Sequence, residues 1–317
     1  MSIIEKAIGR LEPGKAAMTL PADGHVSEAR IDGVPLPIIE AAMEASISSK
    51  NETKTVVQIE KKVAPEESGR PNSRRVEIDI AQLHKLGMVT PDGARTTIAE
   101  EFRLIKRPLI EKAFGQKGKP IHHGNLIMVA SSLPGEGKTF CAVNLAISMA
   151  MELDHTVLLV DADVARPSVP RYLQLRPDSE TSEIGLMDVL LDENLDLADA
   201  MLKTNIDKLS LLRAGTSHHR ATELLASQSM ISLLSEIADR YPDRLIIFDS
   251  PPLLLTSEAR VLASQMGQIV LVVEAESTTQ HAVKEVLNQL KSCQNVNLVY
   301  NKANALSNGD YYGRYYG

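Results

Sequence analysis

Tryptophan is absent from the 317-residue chain, and phenylalanine and tyrosine together supply only 3% of it. Cysteine is nearly absent too. Cys141 and Cys293 stand far apart, each within or at the edge of a helical segment, which excludes a disulfide framework and a cysteine metal site and points to a reducing compartment. No excess of positive charge exists, because 34 Lys and Arg face 41 Asp and Glu for a net charge of −7. A nucleic-acid surface needs a basic stripe, so that class of partner is not expected. No run approaches the ~18 consecutive apolar residues of a membrane span, and the N-terminus MSIIEKAIGR lacks a basic region followed by a long apolar stretch. The expectation is a cytoplasmic protein.

What is present divides the chain into unequal parts. Ser2 and Glu5 have capping-box spacing, and Ile3, Ile4, Ala7, Ile8 and Leu11 share one helical face, so residues 1–12 read as an amphipathic helix. It could dock on its own domain or on a partner. Residues 13–75 are rich in Pro, Gly, Ser, Lys and Glu without periodicity, which predicts a flexible linker and a largely disordered N-terminal extension. Residues 76–115 read as a helical segment. Ile80, Leu83 and Leu86 precede Gly87 as a helix end, and Ile98, Phe102, Ile105 and Leu109 follow helical spacing, with Pro108 expected to kink or divide that helix.

From 116 to 306 the pattern changes to apolar runs alternating with helical segments: NLIMVAS, TVLLVDA, KLSLLRA, RLIIFDS, QIVLVVEA and NLVYN. Runs apolar on both faces and joined by long crossovers predict an α/β fold, a mostly parallel sheet with helices on both faces. The final segment, 307–317, is a tyrosine-rich tail.

The strongest local signal is SSLPGEGKT, residues 131–139, between an apolar run and a helical segment. It fits a phosphate loop except that Ser132 occupies the place of the first glycine. Pro134, Gly135, Glu136, Gly137, Lys138, Thr139 and Phe140 form the expected nucleotide-binding stretch. Lys138 would reach the β- and γ-phosphates of ATP, and the Thr139 hydroxyl would ligate Mg²⁺. Asp161 and Asp163 in LLVDADVARP, and Asp249 in LIIFDSPP, lie at the ends of apolar runs, where open α/β sheets bind ligands. Together they are expected around one metal, directly or through water. Asn301, after the last run, is a candidate for the adenine edge or a turn residue.

Four of the seven tyrosines fall in the last seven positions: Tyr311, Tyr312, Tyr315 and Tyr316. A glycine-flanked terminus cannot build a core, so these phenols read as phosphoacceptors or as a partner-binding tail. A phenol is protonated at neutral pH, and Asp161 is the candidate base.

With these residues assembled, the chain resembles the bacterial tyrosine kinase family, the P-loop autokinases of capsule and exopolysaccharide loci. The phosphate loop, LLVDADVARP, LIIFDSPP, the Glu223-Leu224-Leu225-Ala226-Ser227 segment and the terminal tyrosines carry the likeness. MSIIEKAIGRL and IAEEFRLIKRPL resemble most the soluble members of exosortase and PEP-CTERM loci. The resemblance implies catalytic roles for Lys138, Asp161 and Asp163, Mg²⁺ held by Thr139, Asp161, Asp163 and Asp249, and Asn301 near adenine. It also implies phosphate transfer in trans between subunits of a ring. The family's Glu-x-x-Arg-x-x-Arg oligomerisation motif reads Glu100, Arg103, Lys106 here, with Arg107 as a substitute for the last arginine. Ala165 stands where many members have arginine. A transmembrane chain-length determinant, or polysaccharide co-polymerase, would hold the protein at the inner membrane and activate it, and a phosphotyrosine phosphatase would oppose it. Two alternatives stay open on sequence alone: a partition- or division-type ATPase switch, and an ATP-binding scaffold without transfer.

Overall fold

The computed structural model describes residues 74–303 apart from 93–94, 116–120, 176–183 and 242. The expected N-terminal helix, nearly all of the linker and the tyrosine tail lie outside the described residues. Within them, eight strands form one sheet in the order β1-β4-β5-β3-β6-β2-β7-β8. Six are the expected apolar runs: β2 (Leu126–Ser131), β3 (Thr156–Asp161), β5 (Leu209–Leu212), β6 (Arg244–Asp249), β7 (Gln268–Glu274) and β8 (Val296–Asn301). These six pair with one another in parallel.

Alternation along each strand builds two cores. Leu126, Met128, Leu158, Val160, Ile246 and Phe248 face one, while Ile127, Val129, Val157, Leu159, Leu245 and Ile247 face the other. Every residue of β2 is buried, which explains why the central strands read as unbroken apolar runs. Helices cover both faces. On one side lie α2 (Thr97–Phe114) and α3 (Lys138–Ala150), which contribute Phe102, Leu109, Leu145 and Ile147. On the other, α8 (Gln228–Arg240), α9 (Ser257–Ser264) and α10 (Gln280–Gln289) contribute Leu234, Leu262 and Val286. Between these elements, chain order also gives α4 (Val169–Tyr172), α5 (Leu186–Leu191), α6 (Leu197–Ala200) and α7 (Ala221–Leu225).

The segment 76–115 differs from its expectation in two respects. It is not wholly helical: Arg75–Val76 form β1, parallel to β4 (Leu202–Thr204), before α1 (Ile80–Lys85) ends at Gly87 with φ of 66°. Nor does Pro108 divide α2, which runs unbroken to Gly115. The carbonyl that Pro108 leaves without its helical donor belongs to Leu104, a residue 62% exposed, so water can satisfy it while Phe102 and Leu109 anchor the buried face. One pairing, β4 with β5, is antiparallel.

Candidate functional site

The sheet order brings three strand ends together. β6 lies between β2 and β3, with Val129 opposite Asp249 and Asp249 opposite Asp161. The loop after β2 turns through Gly135 and Gly137, at φ of 90° and 95°, into the N-terminus of α3. These left-handed conformations suit glycine, and at Gly137 a Cβ would also clash with Asn301 Nδ2.

Lys138 Nζ donates to Asp163 at 2.9 Å and sits 3.6 Å from Asp249 Oδ1, an ionic contact too long for a hydrogen bond. Thr139 Oγ1 donates to Asp249 Oδ2 at 2.7 Å and shares a 2.9 Å hydrogen bond with Ser168 Oγ. Asp161 Oδ2 accepts the backbone N–H groups of Ser168 and Val169, each at 3.0 Å. Ser168, unmarked in the sequence reading, therefore bridges the phosphate-loop hydroxyl and the Asp161 loop.

Burial sets the electrostatics. It pushes the Asp161 carboxyl up to about 7, with neighbouring Asp249 adding to the effect and the two backbone donors opposing it. Asp249 rises to about 6, burial again outweighing Lys138 and Thr139. Burial alone would lower Lys138, but Asp249 and Asp163 overcome it and the ammonium is held above its ordinary range. Burial, with the charge of Asp249 adding to it, pushes the Cys141 thiol up to about 12, so it stays neutral.

Among the described residues, no group of three or more His, Cys, Asp or Glu is arranged to hold a metal ion on its own. Asp163 pairs with Lys138 instead, and Asp161 secures the Ser168–Val169 turn. A Mg²⁺ ion nevertheless fits the donor set. Asp161 Oδ1 and Asp249 Oδ1 are buried oxygens without hydrogen-bond partners, Thr139 Oγ1 touches Asp249, and Mg²⁺ ordinarily takes one or two carboxylates with substrate phosphates and water.

Asn301, at the end of β8, donates from Nδ2 to the Glu136 carbonyl at 2.9 Å. That places it against the phosphate loop. Lys106 departs from its expected role: it is 5% exposed, and its Nζ donates to Ser148 O at 2.6 Å and pairs with Glu152 at 2.7 Å. It turns inward to the C-terminal end of α3, whereas Glu100 and Arg103 pair with each other on the same helix and Arg107 is exposed. The four tail tyrosines lie outside the described residues.

A glycine-turned loop after a central strand, a lysine and threonine opening the next helix, and buried aspartates at neighbouring strand ends define a P-loop nucleotide-site architecture. Residues 124–303 match the AAA domain family. The tyrosine-protein kinase YwqD of Bacillus subtilis (strain 168) is 32% identical over 213 residues, covering 67% of this chain and 82% of YwqD. The succinoglycan biosynthesis transport protein ExoP of Rhizobium meliloti (strain 1021) is 28% identical over 255 residues, covering 75% of this chain but only 30% of ExoP. Among solved structures, the VpsO kinase domain aligns with a TM-score of 0.52 and 26% identity, over 66% of this chain and 100% of that domain. The chain belongs to the bacterial tyrosine-protein kinases of the AAA domain family.

Proposed function

We propose that this chain is an ATP-dependent protein-tyrosine autokinase that phosphorylates Tyr311, Tyr312, Tyr315 and Tyr316 and thereby regulates exopolysaccharide polymerisation or export. The observation that carries the reading is the contact set joining Lys138 and Thr139 to Asp163 and Asp249, in a chain whose relatives include a tyrosine-protein kinase and a polysaccharide transport protein.

The residues divide the work. Backbone N–H groups of the loop from Pro134 to Phe140, with the positive end of α3, receive the phosphates of ATP. Lys138 exchanges its carboxylate partners for β- and γ-phosphate oxygens and stabilises charge on the transferred group. Thr139 Oγ1 and Asp249, with Asp161 or Asp163 nearby, would hold Mg²⁺, which would supply Lewis-acid neutralisation of the phosphate oxygens. Asp161, whose Oδ1 is a buried oxygen without a hydrogen-bond partner, is the candidate to take the phenol proton. The phenol oxygen then bonds to the γ-phosphorus as the bond to the ADP oxygen breaks. Asn301 orients the base beside the loop it already touches.

Transfer runs between subunits of a ring in which Glu100 and Arg103 contribute to the contact. A transmembrane chain-length determinant activates the protein at the inner membrane, and a phosphatase resets it. Among the described residues no helix is long and apolar enough to cross a membrane, and the MSIIEKAIGRL and IAEEFRLIKRPL segments support an exosortase-locus setting. Phosphotyrosine mass spectrometry of purified protein incubated with MgATP tests the reading: phosphate on the tail is expected, and nucleotide turnover without any phosphotyrosine would reject it in favour of an ATPase switch.

A further inference from the structure

The phosphate loop is fastened to elements that the sequence motif does not include. Glu136 is only 3% exposed. Its Oε2 accepts the N–H of Leu133 at 2.8 Å, and its Oε1 accepts the hydroxyl of Thr278, a residue 142 positions away in the connection between β7 and α10. Thr278 is itself fixed, since its Oγ1 accepts the Glu274 N–H at 3.1 Å and its own N–H donates to the Glu274 carbonyl at 3.1 Å. Two further ties come from the end of β8. Asn301 donates to Glu136 O at 2.9 Å, and Lys302 Nζ bridges Gly135 O at 2.8 Å and Glu274 Oε1 at 2.9 Å.

These bonds hold Leu133, Gly135 and Glu136 within the turn that leads to Gly137. A loop that receives phosphates with its backbone N–H groups binds best when those groups already point inward, because ordering them on binding costs affinity. The Glu136 carboxylate restrains the entry of the loop through Leu133. Thr278 restrains the carboxylate, and a charge-assisted hydrogen bond in a buried site is stronger than a neutral one.

We propose that Thr278 is a positioning residue for nucleotide binding, acting through Glu136 to preset the phosphate loop from the β7–α10 connection. The proposal rests on the reading of this loop as a nucleotide site. Its prediction is selective. Thr278→Val keeps the shape of the side chain but leaves Glu136 Oε1 without its donor and the Glu274 N–H without its acceptor, whereas Thr278→Ser keeps the hydroxyl and both bonds.

The test is titration of full-length protein with MgADP, together with steady-state transfer at varied ATP. Thr278→Val should weaken MgADP binding and raise the ATP KM by roughly tenfold, with kcat changed by less than about threefold, because the groups acting on the transferred phosphate remain in place. Thr278→Ser should stay within about twofold of wild type. Hydrogen exchange at the Leu133 amide gives a second readout independent of activity and should speed up in the valine variant only. Unchanged affinity and exchange in Thr278→Val would overturn the latch while leaving the nucleotide site standing. Equal losses in the valine and serine variants, or a kcat loss that matches the KM change, would reduce Thr278 to a packing residue. Failure of wild-type protein to bind MgADP would overturn the nucleotide reading and the latch with it.

Discussion

At the scale of single residues, the site stores unfavourable charge. Lys138 answers the carboxylates of Asp163 and Asp249, but Asp161 Oδ1 has no partner. Lys138→Met should abolish tail phosphorylation, since the lysine stabilises transferred charge, and should also cost stability by leaving Asp163 and Asp249 without their cation. Persistent phosphotyrosine in that variant, free of contaminating kinase, would remove Lys138 from the mechanism. Asp161 offers a test by pH. Its ordinary value is 3.8, and in the fold it stands at about 7. Between those values the native state holds a proton that the unfolded chain has lost, so this group's contribution favours folding at low pH and fades as pH rises through about 7. Asp161→Asn retains an acceptor for the Ser168 and Val169 N–H groups without the charge. Nucleotide-free, Mg²⁺-free Asp161→Asn should therefore gain stability relative to wild type as pH moves from 5 to 8, by roughly 2–4 kcal/mol at the upper end. Thermal melts across that range check the sign, and a difference that shrinks with pH would contradict the burial argument. The same variant should lose transfer more severely than nucleotide binding.

At the scale of elements, α3 is the piece around which the site is built, and it is unusually apolar. Eleven of its 13 residues are buried, and its last turn contains no basic residue to meet the helix dipole. Lys106, reaching across from α2, supplies that cation at Ser148 O and pairs with Glu152 just beyond the helix end. Lys106→Met should cost about 1–3 kcal/mol in urea unfolding, because a terminal carbonyl loses its donor in a buried setting. Oligomer size should stay unchanged at equal folded concentration, whereas a shift in size without a stability loss would restore Lys106 to the interface. The family resemblance placed Lys106 in an oligomerisation motif, and a motif match gives spacing on a helix, not the direction in which a long side chain finds its partner. Legibility followed the same logic elsewhere. β2, β3, β6 and β7 were readable as runs of six or seven apolar-rich residues, while β1, Arg-Val, and β4, Leu-Lys-Thr, are too short and mixed to carry a period. Lys138, Thr139 and the three aspartates were legible because a phosphate loop and strand ends impose local order. Ser168, Thr278 and Lys302 were not, since hydrogen bonds spanning 29, 142 and 167 positions leave no spacing to detect.

At the scale of the whole molecule, the question is how a tail reaches a site, and how its modification feeds back on assembly. Asn301 and Lys302, at the end of the last described strand, hold the phosphate loop, so the last described residues stand beside the nucleotide site. Eight residues separate Ala303 from Tyr312. In the proposed reading, transfer runs between subunits. Protein carrying Lys138→Met, which cannot transfer, should therefore gain tail phosphate when mixed with tail-deleted protein that keeps an intact site. A null result from that mixture, with each protein folded and the tail-deleted partner still turning over ATP, would favour transfer within one subunit. Charge then links modification to assembly. Each phosphate adds about −1.5 to −2, so four add roughly −6 to −8 per subunit. That about doubles the existing −7. Subunits packed in a ring would repel in proportion, and most strongly at low salt, where screening extends over tens of ångströms. Light scattering should accordingly find a larger particle before phosphorylation than after it, with the difference narrowing as salt is raised. A mass that stays constant through full phosphorylation at low salt would separate the kinase from any role of its tail in timing assembly.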